Sequence, residues 1–332
     1  MRYILIISRK ANPKTLAELD DAVNYVNTHD PDLRAKIELR YTDYVGHSAD
    51  LAIELSEQYG DKITIVACGG DGTIHEVANA LAFRKTPMIC LPFGTGNDFV
   101  KTLTSNWKKW DPVHFLMCLD KVKYKSIDLI RIDSYDLMGG HLKNWSGYMN
   151  NVASIGLDTE VQFKAKSIVR KKDTPFNRKT AYIKSALASI FGKRAHNFKF
   201  KLELENGDVY ESSKDRYTLI SICNAKYYGD GFCPAPDADL TDGVADVCAI
   251  DDVSLFRAVP LLLAYRLGTH KGKRGIHTFR ATSGIVTSTD PSFQLMGNFD
   301  GEDFFGHRIR FEVHRKALTI GFFPEDGYKD SK

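Results

Sequence analysis

The sequence has no apolar run long enough to cross a bilayer. Such a crossing takes about 20 consecutive apolar residues. The run at the N-terminus covers only Tyr3–Ile7 before Ser8, Arg9 and Lys10 follow. Five apolar residues are also too few for the core of a signal peptide. We therefore expect any membrane contact of this chain to be peripheral.

The chain also lacks the cysteine patterns of metal sites and disulfide-stapled folds. Its six cysteines include no CxxC pair and no metal-ligand spacing with histidine. Cys68 and Cys90 each lie in an apolar run, where a free thiol behaves as a small core residue. This usage predicts a reducing, cytoplasmic location.

A strong charge imbalance is missing as well. The 332 residues carry a net charge of +3, with 43% hydrophobic and 26% charged residues, which is ordinary for a globular protein of one or two domains. The exception is the segment 161–200, where eleven Lys and Arg face a single acid, Asp173. No nucleic-acid-binding motif accompanies it, so we expect no nucleic-acid partner. The segment is either a solvated helical face or a docking surface for anions.

The most informative motif follows a strand-like apolar run at residues 63–68. It consists of Gly69, Gly70, Asp71, Gly72 and Thr73. Apolar residues then recur at helical spacing. Glycines at a strand-to-helix turn let the backbone approach an anion closely, and the helix N-terminus adds its positive dipole end. Asp71 adds a carboxylate able to hold magnesium directly or through water.

A second loop of the same kind follows the apolar run 88–93. It consists of Gly94, Thr95, Gly96, Asn97 and Asp98, with a helix predicted from Phe99. Because neighbouring parallel strands end at one edge of a sheet, we expect both loops to meet at the edge where open α/β sheets bind ligands. Thr95 offers a hydroxyl to a phosphate oxygen, and Asp98 offers a second carboxylate.

Strand and helix patterns alternate over the first 130 residues, which predicts a parallel, doubly wound sheet. After Asp128 the pattern changes to half-buried strands, and the Asn206-Gly207 pair is typical of a tight hairpin turn. Separate strands are expected at 309–313 and 317–323, and helices near 160–190 and 254–267. The second half therefore reads as an antiparallel, β-rich domain.

Together, the two loops resemble the diacylglycerol kinase catalytic family, in particular the soluble bacterial, YegS-like lipid kinases. Further matches in family order are the stretches 151–156, 227–232 and 300–302. The resemblance implies a nucleotide-binding, NAD kinase-like α/β domain at 1–128, with a return segment at 315–332. It implies a C-terminal β-sandwich domain at 129–314 for the lipid substrate.

The resemblance further implies an ATP- and Mg²⁺-dependent kinase that phosphorylates a hydroxyl of diacylglycerol or a related lipid. Where the family usually has Asn-Pro and small residues, this chain has Ser8-Arg9-Lys10. The residues then expected to bind ATP are Ser8, Lys10, Thr42, Gly69, Gly70, Asp71, Gly72, Thr73, Gly94, Thr95, Asn97 and Asp98.

In this family the general base lies in the tripeptide that is Asp300-Gly301-Glu302 here. A carboxylate on a glycine-centred turn can accept the proton of a lipid hydroxyl. The sequence does not choose between Asp300 and Glu302. The run 237–244 resembles the family's structural magnesium loop, which implies Asp239, Asp242 and Val244 as ligands.

The resemblance also implies partners: a lipid substrate reached by peripheral association with the inner face of the membrane, through the basic segment 161–200, and a homodimer. Two alternative functions stay open at this point. One is an NAD kinase-like enzyme, which shares the first glycine loop. The other is a non-catalytic lipid-binding regulatory protein on the same scaffold.

Overall fold

The computed structural model describes residues 1–104, 111–136, 143–157, 159–160, 164, 167–168, 185, 196–229 and 231–323. The helices expected near 160–190 and most of the basic segment 161–200 lie outside this part of the chain. Contacts divide the protein into an N-terminal unit, Met1–Ile127 with Lys316–Lys332, and a C-terminal unit, Asp128–Arg315.

The N-terminal unit is built on four parallel strands in the order β4-β3-β1-β2. The strands are β1 (Arg2–Ser8), β2 (Ile37–Thr42), β3 (Ile63–Gly69) and β4 (Met88–Pro92). The helices are α1 (Pro13–His29), α2 (Pro31–Ala35), α3 (His47–Tyr59), α4 (Asp71–Ala80), α5 (Asp98–Leu103) and α6 (Pro112–Met117). The chain leaves β1 toward β2 and then crosses to β3, so the strand order reverses beside β1, where ligand crevices of open sheets form.

Local sequence explains the ends of these helices. The Asn12 side chain accepts a hydrogen bond from the Lys14 N–H, and Pro13 occupies the first turn, where no N–H is needed. Helix α3 ends at Gly60, whose φ of 59° favours glycine. All seven residues of β3 are buried, as a central strand with both faces covered requires.

The C-terminal unit pairs its strands antiparallel in the order β14-β13-β7-β10-β11-β12-β15, and β8 pairs with both β10 and β12. Its strands, with β5 beginning in the N-terminal unit, are β5 (Lys123–Tyr135), β6 (Lys143–Met149), β7 (Val152–Gly156), β8 (His196–Leu204), β9 (Val209–Glu211), β10 (Arg216–Cys223), β11 (Ala245–Asp251), β12 (Ile276–Ser288), β13 (Leu295–Phe299), β14 (Glu302–Gly306) and β15 (Arg308–Phe322). Helix α7 spans Leu255–Arg266. This arrangement confirms the predicted α/β plus β-rich fold class.

One expected division of the chain was wrong. The segments 309–313 and 317–323, predicted as separate strands, form the single strand β15. Its first half pairs with β12 in the C-terminal unit, and Ile320 pairs with Met88 of β4 in the N-terminal unit. Lys316 has a φ of 52° within this strand. The polar run around it suggested a break between strands, whereas the chain makes only a local irregularity there.

Candidate active site

The carboxyl ends of the four parallel strands bring the predicted nucleotide residues to one edge of the N-terminal unit. Ser8 ends β1 opposite Thr42, the last residue of β2. Gly69 ends β3 opposite Pro92, the last residue of β4. The first glycine loop starts at Gly69 and the second follows Pro92, so both loops leave the sheet at this edge.

The two glycine loops pack against each other backbone to backbone. A Cβ added to Gly94 would lie 2.4 Å from the Gly70 Cα, and a Cβ on Gly69 would lie 2.4 Å from the Thr73 hydroxyl oxygen. The Phe93 N–H donates to the Gly69 carbonyl at 2.9 Å. Real Cβ contacts are essentially never this short, so glycine is required at Gly94 for the contact between the loops and at Gly69 for the turn within the first loop.

Helix α4 begins inside the first loop. Gly70 is its N-cap, and no side chain caps the N-terminal amides of this ten-residue helix. Uncapped first-turn N–H groups together with the helix dipole favour an anion such as a phosphate. A phosphate bound there would satisfy the same donors that a capping side chain satisfies in other helices.

Asn97 closes the second loop on itself. Its φ is 52°, a left-handed conformation that asparagine tolerates better than most residues. The Asn97 Oδ1 accepts from the Gly94 N–H at 2.9 Å, and its Nδ2 donates to the Gly94 carbonyl at 2.7 Å. Asn97 is buried, whereas Thr95 at the tip of the loop is exposed. The Asn97 side chain therefore shapes the loop, and Thr95 is the side chain that the loop presents.

A pair of carboxylates lies where the two loops meet, with Asp98 buried and Asp71 half-buried. Asp71 Oδ2 and Asp98 Oδ2 lie 2.9 Å and 3.6 Å from the position that a Cβ on Gly96 would occupy. Burial, and then the neighbouring charge of Asp98, raise the pKa of Asp71 to about 7. The Lys101 ammonium donates to Asp98 at 2.7 Å. The pair carries more negative charge than one lysine neutralises, so its donor set fits a bound cation such as Mg²⁺.

The remaining predicted nucleotide residues lie at the ends of β1 and β2. Thr42 is buried, Ser8 is half-buried and Lys10 is exposed. Beside them, the Arg9 Nε donates to the Asp43 carboxylate at 3.0 Å, and the Arg9 guanidinium lies 5.1 Å from the Tyr41 ring centroid. The sequence did not predict this ion pair, because two helices and a strand separate its two members along the chain.

Glu76 is a second residue that the sequence gave no reason to select. Its carboxylate accepts from the Gly46 N–H at 3.2 Å and from the Ser48 hydroxyl. Helix α4 thereby holds the loop that follows Thr42. The placement of Glu76 one turn beyond Thr73 on α4 is the only sequence signal that could have identified it.

In the C-terminal unit, the predicted tripeptide forms the turn between β13 and β14, a hairpin that the sequence did not predict. Asp300 has a φ of 47°. Its Oδ1 accepts from the Asn151 N–H at 3.1 Å and the Val152 N–H at 3.0 Å, and its Oδ2 accepts from the Asn150 N–H at 2.8 Å. Both carboxylate oxygens are therefore engaged by backbone donors.

Glu302 contrasts with Asp300 in every respect. It lies at the start of β14, and its exposed side chain makes no hydrogen bond or ion pair among the described residues. The structure therefore distinguishes two carboxylates that the sequence left equivalent. Asp300 anchors the turn, and Glu302 is exposed next to it.

Asn224 binds the same segment, residues 150–151, whose backbone N–H groups donate to Asp300. The Asn224 Nδ2 donates to the Asn150 carbonyl at 3.1 Å and to the Asp128 carbonyl at 2.9 Å. The Asn224 N–H donates in turn to the Asn151 carbonyl at 2.9 Å. Asp300 and Asn224 therefore both fix the segment 150–152, to which the hairpin turn preceding Glu302 is bound.

Two arginines from other strands, Arg280 of β12 and Arg315 of β15, contact the predicted metal loop. The Asp242 Oδ2 accepts from Arg280 at 3.0 Å and its Oδ1 accepts from the Val244 N–H at 3.1 Å, while Arg315 donates to the Asp242 carbonyl at 3.1 Å. The Asp239 carboxylate accepts from Thr241. Arg280 already engages one of the Asp242 carboxylate oxygens that a metal ion would use. The metal role of the loop stays a prediction.

Two absences concern only the part of the chain that the structure describes. No group of three or more His, Cys, Asp or Glu side chains is arranged to hold a metal ion there. Within the same residues, none of the helices has both the length and the apolar character needed to cross a membrane.

A cavity of about 500 Å³ lies in the C-terminal unit. Ile155, Leu295, Met296 and Phe305 supply much of its apolar lining. Its polar side includes His307, which is buried and lies 2.8 Å from Asp136 between Nδ1 and Oδ1. The cavity therefore adjoins the end of the β13–β14 hairpin that is opposite the Asp300 turn.

Two family models match this chain, one in each half. Residues 2–132 match the family model described as the diacylglycerol kinase catalytic domain. Residues 151–322 match the one described as the YegS C-terminal NAD kinase beta sandwich-like domain. The protein is thus a lipid kinase of the diacylglycerol kinase type.

More particularly, the chain belongs to the YegS-like family. A probable lipid kinase YegS-like from Yersinia enterocolitica is 30% identical over 85% of this chain and 83% of its own length. A probable lipid kinase YegS-like from Shewanella frigidimarina is 27% identical over 83% of this chain and 82% of its own length. A putative diacylglycerol kinase from Bacillus anthracis str. Sterne shares the fold, with a TM-score of 0.68, 18% identity and 97% coverage of both chains.

Proposed function

We propose that this protein transfers the terminal phosphoryl group of ATP, with Mg²⁺, to a hydroxyl of diacylglycerol or a closely related lipid. The observation that carries the proposal is the exposed Glu302 carboxylate on a turn fixed by Asp300. A base must be both unengaged and held in place to accept a proton from a substrate hydroxyl. Glu302 meets the first condition, and the hydrogen bonds of Asp300 meet the second.

The N-terminal unit offers what a phosphoryl donor requires. ATP would place phosphates against the uncapped start of α4 and against the backbone of the two glycine loops, with Thr95 as a side-chain donor. Bound Mg²⁺ would neutralise phosphate charge, and Asp71 and Asp98 are the residues that would hold it. The hydrogen bond from Lys101 orients the Asp98 carboxylate for that task.

The cavity in the C-terminal unit supports a lipid acceptor over a small polar one. Its lining is mainly apolar, and burial of apolar surface is the main favourable contribution when an acyl chain binds. Met296, the cavity-lining residue of β13 nearest to Asp300, precedes it by four residues, or about 14 Å along the strand. We infer that an acyl chain enters the cavity while the glycerol hydroxyl lies at Glu302.

The test is transfer of radiolabelled phosphate from ATP to dioctanoylglycerol in detergent micelles, with Mg²⁺ and with EDTA. We expect product only with Mg²⁺. A parallel reaction contains NAD together with the lipid, so that the two acceptors compete. Phosphorylation of NAD and not of the lipid would overturn the proposal, as would lipid binding without any nucleotide binding.

A further inference from the structure

Helix α7 exposes an apolar face that the proposed catalytic machinery does not use. Phe256 is 91% exposed, Leu267 is 72% exposed and Leu263 is 58% exposed. Val259 and Pro260 are also exposed. We call these five residues the α7 stripe. At 100° per residue they fall within about 100° of one another around the helix axis and its C-terminal extension, so they form one continuous strip.

The opposite face holds the helix firmly on the C-terminal unit. Ala258, Ala264 and Tyr265 are buried, and the Tyr265 hydroxyl lies 2.5 Å from the Ser221 hydroxyl in the core. Leu261 packs against the same core. Since the inner face is fully engaged, the α7 stripe points outward as a stable feature of the fold.

Positive charge surrounds the stripe. Residues 253–275 include five Lys and Arg and no Asp or Glu. Arg257 and Arg266 lie on opposite flanks of the stripe, because they fall about 100° and about −80° from Phe256 around the helix. Lys271, Lys273 and Arg274 follow directly after the helix and are exposed.

The acids nearest to this segment are already neutralised. Asp251 pairs with Lys214 and with His277, and Asp252 pairs with Arg216 at 3.1 Å. Asp237 pairs with Lys271 at 2.8 Å. By contrast, Arg257, Lys273 and Arg274 make no carboxylate contact within the described residues. The surface around the stripe is therefore net positive.

We propose that the α7 stripe and its flanking cations form the surface by which this protein docks onto an anionic lipid bilayer. Helices that lie in a membrane interface combine an apolar face with flanking Lys and Arg, and each cation near anionic headgroups adds attraction. Charge complementarity favours this occupant over a second copy of the chain, whose identical segment is equally positive. The inference rests on the proposed lipid kinase activity for its purpose, and names where that activity meets its substrate.

The test measures co-sedimentation with two kinds of vesicle, phosphatidylcholine alone and equimolar phosphatidylcholine and phosphatidylglycerol. We expect the wild type to bind the anionic vesicles more strongly. Phe256→Ser combined with Leu263→Ser should weaken that binding by at least about tenfold, because two large apolar side chains no longer enter the bilayer. Val209→Ser, at another exposed apolar residue, is the matched control and should bind as the wild type does.

Charge is tested separately with Lys273→Glu, which should reduce binding to anionic vesicles only, against Lys85→Glu on the N-terminal unit. Equal binding by the wild type and the α7 double variant would overturn the inference, and so would no vesicle binding at all. Sedimentation velocity gives a further refutation: a wild-type dimer that the double variant makes monomeric would assign the stripe to chain–chain contact.

The two proposals fail in different ways. Phosphorylation of micellar dioctanoylglycerol without vesicle binding would refute the docking surface and keep the kinase. Vesicle binding lost in the α7 double variant, without phosphorylation of any lipid, would do the opposite. If both hold, the double variant keeps its micellar activity and loses activity on diacylglycerol in anionic vesicles.

Discussion

The different environments of Asp300 and Glu302 lead to a prediction that separates stability from chemistry. Replacing Glu302 by Gln removes a carboxylate that makes no hydrogen bond or ion pair among the described residues. We expect kcat to fall by about a hundredfold to ten-thousandfold, the usual contribution of a general base. The melting temperature should not change, because no hydrogen bond is lost.

Replacing Asp300 by Asn should produce a different pattern. Three backbone N–H groups lose a charged acceptor. A hydrogen bond to a charged group contributes about 1 kcal/mol more than one to a neutral group, so the free energy of unfolding should fall by about 3 kcal/mol. In a unit of this size that corresponds to a melting temperature lower by about 6 to 12 °C.

Both variants are measured by thermal unfolding and by initial rates with micellar dioctanoylglycerol. Glu302→Asp is a useful control, since it keeps a carboxylate one methylene further from the substrate and should retain part of the activity. The reasoning would be refuted by a Glu302→Gln variant whose kcat stays within about threefold of the wild type. An Asp300→Asn variant that melts normally but is inactive would assign the base to Asp300.

Three further predictions follow from other parts of the site. Gly94→Ala should lower the free energy of unfolding by about 2 kcal/mol, because its Cβ overpacks against the facing loop. Gly72→Ala should not destabilise the protein, since its Cβ would meet no atom within 4 Å. Equal stability of the two variants in calorimetry would contradict the loop contact. Since the pKa of Asp71 is raised from 3.8 to about 7, the native state binds the extra proton, and stability should fall as pH rises from about 4 to 7, by up to about 4 kcal/mol. Asp71→Asn should flatten that profile in denaturant titrations, and a rise over the same range would refute the assignment. Because Arg280 pairs with Asp242, Arg280→Met should lower the melting temperature. The variant's melting temperature should then rise with Mg²⁺ by more than that of the wild type, whose response comes from the Asp71–Asp98 pair alone. An equal magnesium response in both proteins would reject the loop as a metal site.

Much of the fold and half of the site could be read from the sequence because the signals there are local. A glycine loop that follows a buried strand is predicted to lie at the edge of the sheet, and Gly70 and Gly94 do meet there. The choice between Asp300 and Glu302 could not be read in this way. The donors that engage Asp300 lie at residues 150–152, so only tertiary structure reveals them.

The orientation of α7 was hidden for a different reason. Its sequence is apolar on almost every side, and such a pattern predicts a helix without saying which face is buried. Likewise, the sequence around Asp242 does not predict its ion pair with Arg280, which lies on another strand. Long-range ion pairs and the choice of an inner face are both decided by packing.

The shared strand β15 has a consequence for how this protein is made. Ile320 pairs with Met88, so the outer side of β4 waits for a partner about 230 residues further along the chain, which takes about 10 to 50 s to synthesise. During that time the apolar strand β4 is an open sheet edge, the kind of surface that invites pairing with other chains. Completion of the N-terminal unit is therefore tied to the synthesis of β15, and a chain that stalls before β15 is the form most exposed to aggregation.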